Sequence, residues 1–223
     1  MTVFQAALRM MKLPLFCALA GTAPAQAADE PGDFTHYVLA LSWNAAWCQA
    51  EGDARNNGRG ADQCHPRHAH GWLLHGLWPQ AERGWPEYCR SALRDPSRRM
   101  SREMTDIMGS SGLAWHQWKK HGRCSGLQAA DYYALSREAY EAIARPELLR
   151  RVSKPVTLDP DIIKQAFLEA NPDLKPSGIA VTCRDGQIRE VRICLSKALV
   201  PRACTAQVAR GCRSQTVEFL PMR

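Results

Sequence analysis

Residues 33 to 43 alternate apolar and polar positions and are rich in β-formers, which predicts a strand. Trp72-Leu73-Leu74-His75-Gly76-Leu77-Trp78 is a short apolar run, read as a buried strand with His75 at its end and Pro79 closing it. Between them, residues 49 to 63 are polar and glycine-rich, the signature of a surface loop bounded by Cys48 and Cys64. The span from Asp131 to Ala144 repeats as a helix does, with Tyr132, Leu135, Ala139 and Ile143 along one side. Asp159-Pro160 opens a second helix through Ile162, Ile163, Ala166 and Phe167, stopping near Asn171-Pro172. Ile179 to Cys183, Asp185-Gly186 and Gln187 to Leu195 read as a hairpin, with Asp-Gly favouring a type I′ turn. Thr216 to Leu220 is expected to add a last strand. Strands and helices mix without regular βαβ alternation, so the expected class is α+β in one domain.

The N-terminus stands outside this pattern. Arg9 and Lys12 precede an apolar run from Leu13 to Ala20, and Ala25-Gln26-Ala27 offers a small-x-small cleavage site. Residues 1–27 are therefore expected to be a signal peptide, leaving residues 28–223 as an exported, periplasmic or secreted domain. The run is too short for a lasting membrane span, and no other stretch is long and apolar enough. The segment holds two basic and no acidic residues, so its loss takes the net charge from +7 to +5. A modest positive charge suits a polyanionic partner but decides little.

Cys17 leaves with the signal. The remaining Cys48, Cys64, Cys89, Cys124, Cys183, Cys194, Cys204 and Cys212 form an even set, which in an exported chain predicts disulfides. Zinc is the rival, because His65, His68 and His70 cluster near Cys64, but no Cys-x-x-Cys spacing occurs. No metal or other cofactor is predicted.

The chemistry concentrates in Trp115-His116-Gln117-Trp118-Lys119-Lys120-His121-Gly122-Arg123-Cys124. As a helix at about 100° per residue, it places His116 at about 0°, Lys120 at about 40°, Gln117 at about 100° and His121 at about 140°. Two imidazoles, an amide and an ammonium share one arc. Trp115 and Trp118 fall opposite, where they are expected to anchor the helix, and Gly122 suits its stop. A companion stands about forty residues earlier, His75-Gly76-Leu77-Trp78-Pro79. Alone, His75 would be read as a core histidine and His121 as a helix C-terminal cation; together they point to a catalytic pair.

These segments resemble the two active-site signatures of the T2 family of ribonucleases. Residues 75 to 79 match the first, His-Gly-Leu-Trp-Pro, throughout. Residues 116 to 124 match the second, His-Glu-Trp-x-Lys-His-Gly-x-Cys, except that Gln117 replaces the glutamate. Phe34 to Trp43 resembles the family's first strand. The resemblance implies a central, mostly antiparallel sheet with helices around it. It implies an endoribonuclease that cleaves single-stranded RNA without a metal, leaving a 2′,3′-cyclic phosphate and a 5′-hydroxyl.

His75 and His121 would then be the acid–base pair, their division left open, with His116 and Lys120 holding the phosphate. Trp78 would contribute to the base site, with plain core packing as the alternative reading. Gln80 stands where some fungal relatives carry an aspartate, which argues for low base specificity. Trp85 and Tyr88 are candidates for a second stacking face. Lys119, His36, His65, His68 and His70 read as solvated, surface or loop residues. The four arginines from Arg94 to Arg102 read as a solvated helix face, with an RNA-contacting rim as the alternative.

The expected pairs are Cys48–Cys64, Cys89–Cys124 (as in the family), Cys183–Cys212 and Cys194–Cys204, the last two a nesting by spacing. The only expected partner is RNA, and the expected state is a monomer. Gln117 supports one rival, a weakened or silent RNA-binding homologue. A disulfide-rich structural or inhibitor domain is the other.

Overall fold

The computed structural model describes Met1 and residues 30–223. The expected signal peptide, with its expected cleavage site, lies outside the described residues apart from Met1. Six strands form one sheet: β1 (His36–Trp43), β2 (Trp72–Gln80), β3 (Val156–Leu158), β4 (Ile179–Arg184), β5 (Gln187–Leu195) and β6 (Val217–Phe219). The order is β2-β1-β5-β6-β3, with β4 also paired to β5. Every pairing is antiparallel except β5 with β6. The expected α+β class and mostly antiparallel sheet are therefore present. The β4–β5 turn has Asp185 and Gly186 both at positive φ, 51° and 76°, as a type I′ turn requires.

The two faces of the sheet differ. On β1, Tyr37, Leu39, Leu41 and Trp43 enter the main core, joined by Val191, Ile193 and Leu195 of β5. On the opposite face Val38 meets Cys194 and Val208, with Trp78 packed against them. In β2 the alternation breaks. Ala40 pairs Gly76 and Leu41 pairs Leu74, so His75 is the extra residue of a β-bulge. The bulge lets Leu74 and Leu77, three positions apart, both reach the main core. It also turns His75 out of the ladder.

Four longer helices surround the sheet: α1 (Arg98–Glu103), α2 (Ser111–Lys120), α3 (Ala129–Ala142) and α4 (Pro160–Ala170). Helix α4 starts as expected, with the Asp159 carboxylate accepting from Asp161 N–H at 2.8 Å. Helix α3 is tied to β2 through two buried tyrosines. Tyr132 donates to the Leu77 carbonyl at 2.7 Å and Tyr140 to the Trp72 carbonyl at 2.9 Å. Helix α2 buries Ala114, Gln117 and Trp118, and His121 caps its end. Gly122 permits the exit, since a Cβ there would meet Trp118 at 2.5 Å and Tyr132 at 2.9 Å.

The disulfides Cys48–Cys64, Cys89–Cys124, Cys183–Cys212 and Cys194–Cys204 all form as expected. Cys64 is thus no thiolate ligand, which removes the zinc reading as the sequence framed it. Among the described residues no helix is long and apolar enough to cross a membrane.

Five expectations are corrected. Strand β2 is not closed by Pro79 with His75 at its end: it runs on to Gln80, Pro79 pairs with Tyr37, and His75 lies inside it. Trp115 does not anchor α2: it is 45% exposed, with Lys119 Nζ 5.3 Å from its ring centroid. Trp115 lies on the helix flank, about 100° round from Ala114, so only Trp118 reaches the core. Lys119 is not simply solvated, because it pairs with Asp95 at 3.4 Å. His36 is no surface residue but fully buried in β1, its Nδ1 2.8 Å from Thr35 Oγ1. The 49–63 loop opens with a helical turn over Cys48–Gly52, which closes it against the Cys48–Cys64 bridge, and then turns through Asn56 and Asn57 at positive φ. Three of the four arginines, Arg98, Arg99 and Arg102, are exposed on α1, while Arg94 precedes the helix.

The Cys89–Cys124 bridge ties the end of α2 to the chain beyond β2. Replacing both cysteines with serine should lower stability by about 2–4 kcal/mol. Urea unfolding of the variant against the oxidised parent measures this.

Candidate active site

The two signature segments meet over one ring. Trp78 lies with its centroid 5.2 Å from that of His75 at 79°, edge to face, and 5.2 Å from that of His121 at 30°, stacked. Its indole N–H donates to Gln117 Oε1 at 2.7 Å. That bond passes over Gly76, where a Cβ would collide with both Gln117 and Trp78. A glycine between His75 and Trp78 is therefore a steric requirement of this contact.

His75 is held from β5. Its Nδ1 lies 2.5 Å from Glu190 Oε1, and Glu190 is 2% exposed. Arg192 donates to the other carboxylate oxygen through Nε at 3.0 Å and through its terminal nitrogen at 2.8 Å. The Arg192 guanidinium in turn lies 5.5 Å from the Trp78 centroid. Burial favours the neutral Glu190 carboxyl, but the His75 hydrogen bond and charge and the Arg192 charge outweigh it and hold its pKa at about 2. Glu190 is therefore an anion near neutral pH and can only accept, so His75 Nδ1 carries the proton.

His121 has the opposite setting. It is 6% exposed, and its Nδ1 is buried without a hydrogen-bond partner. Burial first, then the charges of Lys120, His75 and His116, push its pKa down to about 3. Burial and the same Lys120 and His75 charges also lower His116. Lys120 reaches Glu87 at 3.2 Å.

The predicted arc of α2 divides in place. Gln117 and His121 occupy its buried edge, while His116 is exposed and Lys120 half-buried. All four, with His75 and Trp78, line a cleft of about 380 Å³. Gln80 and Trp85 line it too; Gln80 is buried and donates to the Pro79 carbonyl at 2.9 Å. Trp85 and Tyr88 are each 55% exposed. A second cleft of about 1140 Å³ opens on the other side of His75 and His116 and reaches Arg55, Arg102 and Arg189. Every residue predicted for catalysis or base contact is thus brought to one cleft, with Tyr88 beside it under Lys120.

Sequence reasoning missed Glu190, Arg192 and Glu87. Glu190 and Arg192 alternate with the apolar Val191 and Ile193 along β5, so a pattern argument places them on its second face. Their signal was that this face had to be something other than core.

Comparison with known proteins agrees with the geometry. The profile of the Ribonuclease T2 family matches residues 34–204. A ribonuclease of Aeromonas hydrophila is 34% identical over 176 residues, 77% of this chain and 76% of that protein. A probable ribonuclease of Haemophilus influenzae is 30% identical over 129 residues, 54% of this chain and 47% of that one. The fold is similar to RNase NT, crystallised in complex with 5′-AMP, with a TM-score of 0.59, 23% identity and coverage of 85% of this chain and 100% of that chain. The chain belongs to the Ribonuclease T2 family: it is a T2-type endoribonuclease.

The lowered pKa of His121 sets a pH dependence of stability. The unfolded chain protonates this ring near 6.5, the folded chain only near 3, so the unfolded state binds more protons in that window. Stability therefore falls as pH drops from about 6.5 towards 3. Glu190 adds a loss of the same sign from about 4.5 towards 2. The His121→Asn variant should show a shallower slope between pH 6.5 and 4.5, where Glu190 does not yet contribute. Urea midpoints across that range are the check.

Proposed function

We propose that the chain cleaves single-stranded RNA by transphosphorylation, with His121 as general base and His75 as general acid. One observation carries the reading: two imidazoles meet across Trp78 in one cleft, one bonded to a buried carboxylate and the other without one. Paired titratable groups in opposed environments divide acid and base work. His121, neutral in the free site, takes the 2′-hydroxyl proton as O2′ attacks phosphorus. His75, carrying a proton on each ring nitrogen, delivers the Nε2 proton to O5′ as the P–O5′ bond breaks. The products are a 2′,3′-cyclic phosphate and a 5′-hydroxyl.

A base works best when its pKa lies near the working pH. The incoming phosphodiester raises that of His121, because its negative charge offsets the Lys120 and His116 cations that hold it down. Lys120 exchanges Glu87 for the phosphate, and His116 closes the other side. No metal is required, since side chains supply acid, base and charge stabilisation. Trp85 and Gln80 line the base end, where nothing demands one particular base; the proposed specificity is low. The chain is proposed to act as a monomer after export to the periplasm or medium, with a mature N-terminus at Ala28.

Gln117 favours a second reading, a silenced RNA-binding homologue, because an amide stands where the family's carboxylate belongs. Its position argues for activity instead. Oε1 is engaged by Trp78, a bond that either a carboxylate or an amide makes.

Purified mature protein should release acid-soluble nucleotides from RNA in EDTA and leave DNA intact, since DNA lacks the 2′-hydroxyl. His75→Ala and His121→Ala should each lower turnover by about 10²–10⁴-fold with the fold retained. Wild-type turnover in either variant would overturn the assignment. Gln117→Glu should move the pH–rate profile and change the maximal rate by no more than about two orders of magnitude. An inert parent restored by Gln117→Glu would favour the silent homologue.

A further inference from the structure

The family signature carries a carboxylate beside its catalytic residues, and this chain has Gln117 there. A carboxylate nonetheless sits in the site, on another element. We propose that Glu190 is the positioning residue of the proton donor: from β5 it fixes the His75 ring through Nδ1 and supplies the negative charge that Gln117 lacks. This deepens the proposed function and rests on its reading of His75 as the acid.

The geometry is built rather than incidental. His75 is the extra residue of the β2 bulge, and Ser42 of β1 pairs with both Leu73 and Glu190. The bulge turns His75 across β1 onto the carboxylate. β5 has an irregularity of its own at this point. Thr182 pairs Glu190 and Cys183 pairs Ile188, which leaves Arg189 as the extra residue. Two bulges on strands flanking β1 thus deliver the two partners. Each oxygen of Glu190 has its own task, Oε1 on His75 and Oε2 on Arg192. Arg192 fixes the carboxylate plane from two nitrogens, and its position near Trp78 joins this pair to the ring over which the histidines meet.

The chemistry follows from charge and tautomer. Nδ1–H on Glu190 leaves Nε2 as the nitrogen that gives its proton to the leaving oxygen. The other charged groups lining the cleft are His116, Lys120 and His121 of α2, Arg189 and Arg192 of β5, and Glu87 beyond Lys120. Glu190 is the buried anion in contact with His75. A second carboxylate, Glu87, is paired to Lys120 at the cleft rim.

The test compares Glu190→Gln, Glu190→Asp and His75→Ala on two substrates: a dinucleotide, and a nucleoside 3′-(p-nitrophenyl phosphate), whose leaving group departs without a proton. Glu190→Gln should lower kcat on the dinucleotide by about 10- to 100-fold, the range for partners that orient a functional histidine. KM should be unmoved. On the nitrophenyl ester the same variant should stay close to wild type. Glu190→Asp keeps the charge and should recover part of the loss on the dinucleotide.

Equal losses on both substrates would make Glu190 merely structural and overturn the proposal. So would wild-type behaviour on both, provided His75→Ala is inactive on the dinucleotide. Activity in His75→Ala would instead overturn the underlying reading. If Glu190→Gln does not fold, the parent protein decides. A far-downfield Nδ1–H proton resonance assigned to His75 supports the pair, and a His75 ring protonated on Nε2 alone refutes it.

Discussion

The structure depends on a conflict within β2. Leu74 and Leu77 must both enter the main core, yet a regular strand sends residues three apart to opposite faces. An inserted residue resolves it, and that residue is His75. Were β2 regular, Leu77 or Leu74 would leave the core and Trp78 would turn away from His121. The packing demand and the delivery of an imidazole to the second face are one event. Tyr132 and Tyr140 then hold β2 from the core side through the Leu77 and Trp72 carbonyls, so the bulge has little freedom to slip.

The second face of the sheet carries a small apolar cluster and a charged site side by side. Glu190 and Arg192 alternate with Val191 and Ile193, which sit in the main core. A buried carboxylate is costly unless paired and hydrogen-bonded, and here each oxygen has a hydrogen-bond donor, His75 on one and Arg192 on the other. His121 lacks such a partner and stays neutral. The contrast between the two rings comes from which strand or helix end carries them, not from any difference in the side chains.

Much of this was legible in the sequence because it is local. The β4–β5 hairpin, the cap of α4 and the pairing of all four disulfides agree with expectation, and the two signature segments hold six of the residues that line the cleft. The remainder depends on contacts distant in sequence. Glu190 is 115 residues from His75, and no periodicity links them. The bulge cannot be read from an apolar run, because only the partner strand shows which residue is unpaired. His36 looked polar and therefore exposed, but strand β1 is covered on both faces. Trp115 shows the converse: a large aromatic side chain at the flank of a helix stays outside when a smaller neighbour, Ala114, already fills the contact.

Trp78 touches His75, His121, Gln117 and Arg192 at once. It works as a spacer that fixes the separation of the two imidazoles. Shrinking it would lose contact with both rings together, so an alanine at this position perturbs both histidines at once. The rim is independent of that spacing, because Trp85 and Tyr88 are exposed and can change while both rings stay in place.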